Sequence, residues 1–144
     1  RAPDVPGLVD AAVDRFRAAL AAPGLEPLLR RPEGTTRVLH ERTLDVDVTD
    51  TDGVAVRWRG AIDRLVLTLD EGRVVRASIV DFKTDARASA DDVVRAHGAQ
   101  LRAYRDAVVS LFSLPARAVD CTIAWLGAAE GQGGVALTVD DARD

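Results

Sequence analysis

The sequence predicts an α/β fold, a mixed sheet flanked by helices, and three observations lead there. Apolar residues at helical spacing open the chain. Three consecutive strand patterns joined by short turns fill its middle. A second helical stretch is then followed by one or two further strands. With 144 residues, 47% of them hydrophobic and 29% charged, the chain is the size of one compact domain able to bury a single core. Within that domain we distinguish an N-terminal helical segment (1–36), a three-strand meander (37–84) and a helix with C-terminal strands (85–144).

Taken in order, Gly7 to Leu20 places Leu8, Val9, Ala12, Val13, Phe16, Ala19 and Leu20 at spacings of three and four, the pattern of an amphipathic helix. Pro23-Gly24 ends it, a helical turn is expected over Leu25 to Arg30, and Arg31-Pro32-Glu33-Gly34 reads as a loop. From Arg37 the period becomes two. Val38, His40, Arg42, Leu44, Val46 and Val48 alternate with Leu39, Glu41, Thr43, Asp45 and Asp47, a strand with mixed faces. Asp50-Thr51-Asp52-Gly53 is a turn by its chemistry. A second strand is expected from Val54 to Leu69, a hairpin turn at Asp70-Glu71-Gly72, and a third strand from Arg73 to Lys83.

After Thr84 the helical period returns. Ser89 or Ala90 can cap it, Asp91 and Asp92 suit its positive end, and the pattern runs to about Leu111, with Leu101, Val108 and Leu111 marking the buried side. Ala118 to Leu126 is apolar enough for a strand inside a sheet, reached from the third strand by a parallel crossover. Gly131-Gln132-Gly133-Gly134 then turns into a last short strand, Val135 to Val139.

Composition narrows the function. No apolar run approaches the roughly 20 residues of a membrane helix, and the N-terminus has no signal segment. The single cysteine, Cys121, fits a reducing cytoplasm and leaves no set of thiolates for a disulfide framework or a self-contained iron–sulfur cluster. The chain opens on Arg1 and contains no methionine, which reads as a domain of something larger. A net charge of −4 and 4% aromatic residues are unlike a stand-alone nucleic-acid binder, so a DNA strand would have to be delivered by another part.

Of the 19 basic residues eighteen are arginine, leaving Lys83 alone. A lysine is a compact point donor whose pKa its surroundings can move, which a guanidinium is not. Across a hairpin centred on residues 70–72, Asp63 falls opposite positions 79 to 81, and Asp81 and Lys83 share one face of the third strand. Two carboxylates and an ammonium therefore converge among Ile62, Leu65, Ile79, Val80 and Phe82. Two carboxylates this close repel one another and need a cation. A hard divalent ion would meet that need and suit phosphodiester hydrolysis, with Lys83 orienting water or stabilising the pentacovalent state. A structural ion cluster of Asp63, Asp81, Lys83 and Arg64 fits the same pattern. On the long helix His97, Gln100 and Tyr104 lie along one stripe, able to face the acids or to pack on the core.

The ordered strings Gly60-Ala61-Ile62-Asp63-Arg64-Leu65, Ile79-Val80-Asp81-Phe82-Lys83-Thr84 and Gln100-Leu101-Arg102-Ala103-Tyr104-Arg105-Asp106-Ala107 resemble the motif set of the RecB-like nucleases, a branch of the PD-(D/E)XK phosphodiesterase superfamily. The likeness spans about Glu41 to Trp125. It implies a restriction-endonuclease-like core and a metal-dependent nuclease domain of a RecB- or AddA-type helicase-nuclease in double-strand-break repair. Its partners would then be DNA, delivered as a single strand by the helicase motor, and a partner subunit. It further implies that Asp63, Asp81 and the Phe82 carbonyl hold Mg²⁺, with Mn²⁺ able to substitute. Lys83 would be the catalytic lysine, Gln100 and Tyr104 would support the site or touch DNA, and Glu41 would have a secondary role. The family also carries a metal-binding histidine on an N-terminal helix in a G-x-x-x-H motif. Here Gly7 is followed four residues on by Ala11, and neither His40 nor His97 lies on the first helix. Because the acids, the lysine and the glutamine are intact, truncation is the expectation, and a degenerate nuclease fold that guides DNA or docks a protein is the alternative.

Overall fold

The computed structural model describes residues 5–49, 52–87, 89–127 and 134–139. Its elements are α1 (Val5–Leu20), α2 (Glu26–Leu29), β1 (Thr36–Thr49), β2 (Ala55–Asp70), β3 (Arg73–Lys83), α3 (Ala90–Phe112), a 3₁₀ turn at Ala116–Ala118, β4 (Val119–Trp125) and β5 (Val135–Thr138). The five strands form one sheet in the order β1-β2-β3-β4-β5. All neighbours are antiparallel except β3 and β4, which run parallel across the α3 crossover. The α/β fold with a mixed sheet is therefore the one the sequence predicts. Among the described residues no helix is long and apolar enough to cross a membrane.

Turn chemistry explains the meander. Glu71 and Gly72 both take positive φ, 46° and 78°, the backbone twist that a two-residue hairpin between right-twisted strands requires. Gly53, at φ 78°, serves the preceding turn, of which Asp50 and Thr51 lie outside the described residues. Likewise 131–133 of the glycine-rich turn lie outside them.

One face of the sheet packs on α3. The buried residues Leu65, Leu67, Ala77, Ile79, Cys121 and Ile123 meet Val93, Leu101, Tyr104 and Val108 in the main core. The other face carries a smaller cluster in which Leu25 covers Val80 and Ala124, with Leu28 and Phe82 beside them. Full burial of one such leucine is worth about 1.5–3 kcal/mol, so the short α2 segment is held by packing rather than by its four residues' own helicity.

The mixed pattern of β1 has a local cause. Leu39, Leu65 and Leu67 face the core at odd positions, whereas Leu44, Val46 and Ile62 do so at even ones. Between the two sets Glu41 adopts φ 48°, flanked by the pairs His40 with Arg64 and Arg42 with Ile62. A single left-handed residue turns the strand over, so the period-two rule restarts on the opposite face. The same break lies beside Asp63.

Two expectations for the helices are corrected. α1 forms, but Val9, Val13 and Phe16 stay exposed and Ala19 is the residue that enters the core. On α3 Leu111 is 55% exposed. Ser113 takes a left-handed conformation that ends the helix, its neighbour Leu114 donates back to the Val109 carbonyl at 3.0 Å, and Leu114 and Phe112 occupy the space that Leu111 was expected to fill. At the other end Ser89 caps α3 as expected, its hydroxyl accepting from the Asp92 amide at 3.2 Å.

Candidate active site

β2 and β3 part company at the site. Their backbone pairing runs as far as Arg64 with Val80, beyond which β3 continues alongside β4. The gap is bridged by a side chain: Asp63 Oδ2 accepts from the Phe82 amide at 2.8 Å. Strand alternation then brings Asp81 and Lys83 to the α3 side, as the sequence predicts, and Phe82 to the opposite cluster.

A continuous polar chain links these residues to the helix. Lys83 Nζ lies 2.8 Å from Asp81 Oδ2 and donates to Gln100 Oε1 at 3.1 Å. Gln100 Nε2 donates to the Tyr104 hydroxyl at 2.8 Å, and that hydroxyl donates to the Ala61 carbonyl at 2.8 Å. The four-residue spacing of Gln100 and Tyr104 puts both on one helix stripe. Both ends of the lysine's environment are thereby fixed, one by the strand and one by the helix.

Burial sets the electrostatics. Asp81 is 2% exposed, and this desolvation pushes its carboxyl above the usual range, against the pull of Lys83 and with the help of the Asp63 charge. Burial also raises Tyr104, and the Asp81 charge adds to the rise, so its hydroxyl stays a donor at neutral pH.

Two groups the sequence left open go elsewhere. His97 points its Nε2 at Asp85, 3.0 and 3.2 Å from the two carboxylate oxygens. With Arg87, whose hydrogen bond is the larger influence, it holds Asp85 well below the usual carboxylate range. Asp85 also accepts on its main-chain carbonyl from Trp125 Nε1 at 2.9 Å, so this pair locks the loop after β3. Arg64 does not join the acids in an ion cluster, because it follows Asp63 on the strand and its Nη2 donates instead to the Arg30 carbonyl on the far face. Glu41 is exposed, and its backbone turn rather than its carboxylate is what reaches the site's surroundings.

Trp58 is a neighbour that sequence reasoning missed. Its ring stands edge-on to Tyr104, with centroids 4.8 Å apart and planes at 79°. Gly60, the first residue of the strand motif, makes room for both: a Cβ there would sit 2.6 Å from Trp58 Cζ2 and 3.0 Å from Tyr104 Cε1. A glycine two residues from a tryptophan on a half-buried strand was the available signal.

The donor set suits a hard divalent ion. The Asp81 carboxylate is buried, with Lys83 Nζ 2.8 Å from its Oδ2 as its cationic neighbour. Among the described residues no third histidine, cysteine or carboxylate joins the two acids. One or two carboxylates, completed by carbonyl, water and substrate oxygens, are a usual complement for Mg²⁺.

Asp81 also predicts a pH response. Its raised pKa means that it favours the fold below the ordinary carboxylate value of 3.8, and that this contribution is lost as pH rises through the raised value. At neutral pH the ionised group is a cost. Asp81→Asn is therefore expected to raise the melting temperature at pH 7 in EDTA, and to lose that advantage in acid. Calorimetry that finds the variant less stable at pH 7 would contradict this account of the site.

A mixed sheet thus brings two acids and a lysine together at the point where two strands diverge, with a helix bracing the lysine. Residues 2–140 match the PD-(D/E)XK nuclease superfamily, and the chain belongs to it. Members of this superfamily are typically metal-dependent nucleases. No curated protein matches the chain.

Proposed function

We propose that the chain is a Mg²⁺-dependent deoxyribonuclease domain, working within a RecB- or AddA-type helicase-nuclease whose motor delivers a single strand during double-strand-break repair. The observation that carries this reading is the Asp81–Lys83–Gln100–Tyr104 chain, which holds one ammonium between a buried carboxylate on β3 and a side chain of α3. In this reading Asp63, Asp81 and the Phe82 carbonyl hold the ion, which when bound lowers the pKa of a water and neutralises phosphate charge. Lys83, held between Asp81 and Gln100, donates to the attacking water or to the pentacovalent phosphorus oxygens. Gln100 and Tyr104 are positioning residues that act through Lys83. The acidic balance of the chain leaves strand capture to the rest of the polypeptide.

Titration calorimetry separates this reading from a degenerate scaffold that only guides DNA or docks a protein. Mg²⁺ or Mn²⁺ is expected to bind and to raise the melting temperature by relieving the buried Asp81 charge, with both effects lost in Asp81→Asn. A chain extended at its N-terminus is expected to cleave single-stranded DNA in the same ions. If neither ion binds either form, the scaffold reading stands.

A further inference from the structure

We propose that the cleft behind the catalytic strand is a phosphate-binding site organised by Arg64. Arg64 is 6% exposed, and beyond the Nη2 bond to the Arg30 carbonyl its buried Nε has no partner. Among the described residues Arg64 takes part in no ion pair. A buried cation without a counter-charge is costly, and an anion drawn from outside would offset that cost.

The surroundings are built for one. Arg64 lines a cavity of about 540 Å³ together with Leu29, Arg31, Arg37, Leu39 and His40. On its other flank it lines a second cavity, of about 250 Å³, with Arg30 and Arg76. Among the described residues no carboxylate lines either one, although Arg30 and Arg76 pair with Glu26 and Asp120 nearby. Three guanidinium groups thus border the larger opening in a chain whose net charge is −4, a local excess of positive charge that draws anions. Guanidinium forks match phosphate oxygens bidentately, and three of them supply more donors than a carboxylate accepts.

The site lies on the reverse of β2 from the acids, since Arg64 turns to the α2 side while Asp63 bridges to Phe82. A phosphodiester of a nucleic-acid strand and a small inorganic or monoester phosphate share this chemistry. Only the choice of a strand as one of the two sources rests on the nuclease reading.

The test is proton–nitrogen correlation NMR of the arginine Nε–H groups in EDTA, at constant ionic strength. Inorganic phosphate is expected to shift the Arg64 Nε–H resonance saturably. The affinity is expected to fall about tenfold or more in the Arg31→Gln, Arg37→Gln double variant. Both replaced side chains are exposed, so the core stays intact. A short single-stranded oligonucleotide that moves the same resonance identifies a strand as the source; movement by inorganic phosphate alone identifies a small phosphate. No shift with either probe, or equal affinity in the double variant, overturns the proposal. Because EDTA removes the metal, cleavage plays no part, and failure here leaves the reading of Asp81 and Lys83 to be decided by their own variants.

Discussion

Lys83→Ala is expected to lower the Mg²⁺-dependent cleavage rate of an active, N-terminally extended chain by roughly 10²–10³-fold, the usual effect of deleting one donor that stabilises developing oxyanion charge. The structure gives the reason for so large an effect from one side chain. Lys83 Nζ is held from both sides, by Asp81 at 2.8 Å and Gln100 at 3.1 Å, and it is the only lysine in the sequence. Arginine should not rescue the loss, because a fork cannot occupy the place of a point donor between those two partners. Gln100→Ala should cost less, since it frees the ammonium without removing it, and its defect should appear in kcat more than in KM. Single-turnover cleavage of a labelled oligonucleotide measures each. A Lys83→Ala rate within twofold of the parent would end the catalytic assignment.

Gly127→Ala is expected to destabilise the fold by about 1–3 kcal/mol, the range for overpacking a closed site. A Cβ at Gly127 would lie 2.6 Å from the Thr84 carbonyl oxygen and closer still to that of Asp85, and backbone, unlike a flexible side chain, cannot easily withdraw. The segment it would displace follows Lys83 directly and is tied down by Leu126 N–H to the Lys83 carbonyl at 2.7 Å and by the Trp125 indole on Asp85. Activity should therefore fall further than lost stability alone accounts for. Denaturant titration and the cleavage rate at a temperature where the variant is fully folded distinguish the two effects. Unchanged stability would show that the 84–85 segment is looser than its hydrogen bonds indicate.

The acids and the lysine were legible because strand periodicity is a local rule. Residues two apart share a face, and the hairpin brings β2 against β3, although the exact register near Asp63 also depends on a bulge beside Thr68 and Leu69 that shifts the pairing by one residue. Gln100 and Tyr104 were legible for the matching reason on a helix. The direction of Arg64 was not, because it depends on the Arg30 carbonyl, thirty-four residues earlier in the chain. Neither was His97, whose partner Asp85 comes from the loop after β3. Trp58 and Tyr104 meet only because β2 passes under α3 and Gly60 leaves the space.

Period and turn residues, read from the chain alone, determined the order of the elements, the antiparallel meander and the shared face of Asp81 and Lys83. Tertiary structure alone decided where β1 turns over at Glu41, why Leu111 and the α1 stripe stay in solvent, and that Asp81 is buried beside Lys83. The physical reason is range. Backbone propensity and side-chain alternation act over a few residues, whereas burial and the pairing of polar groups depend on which distant segments close over them.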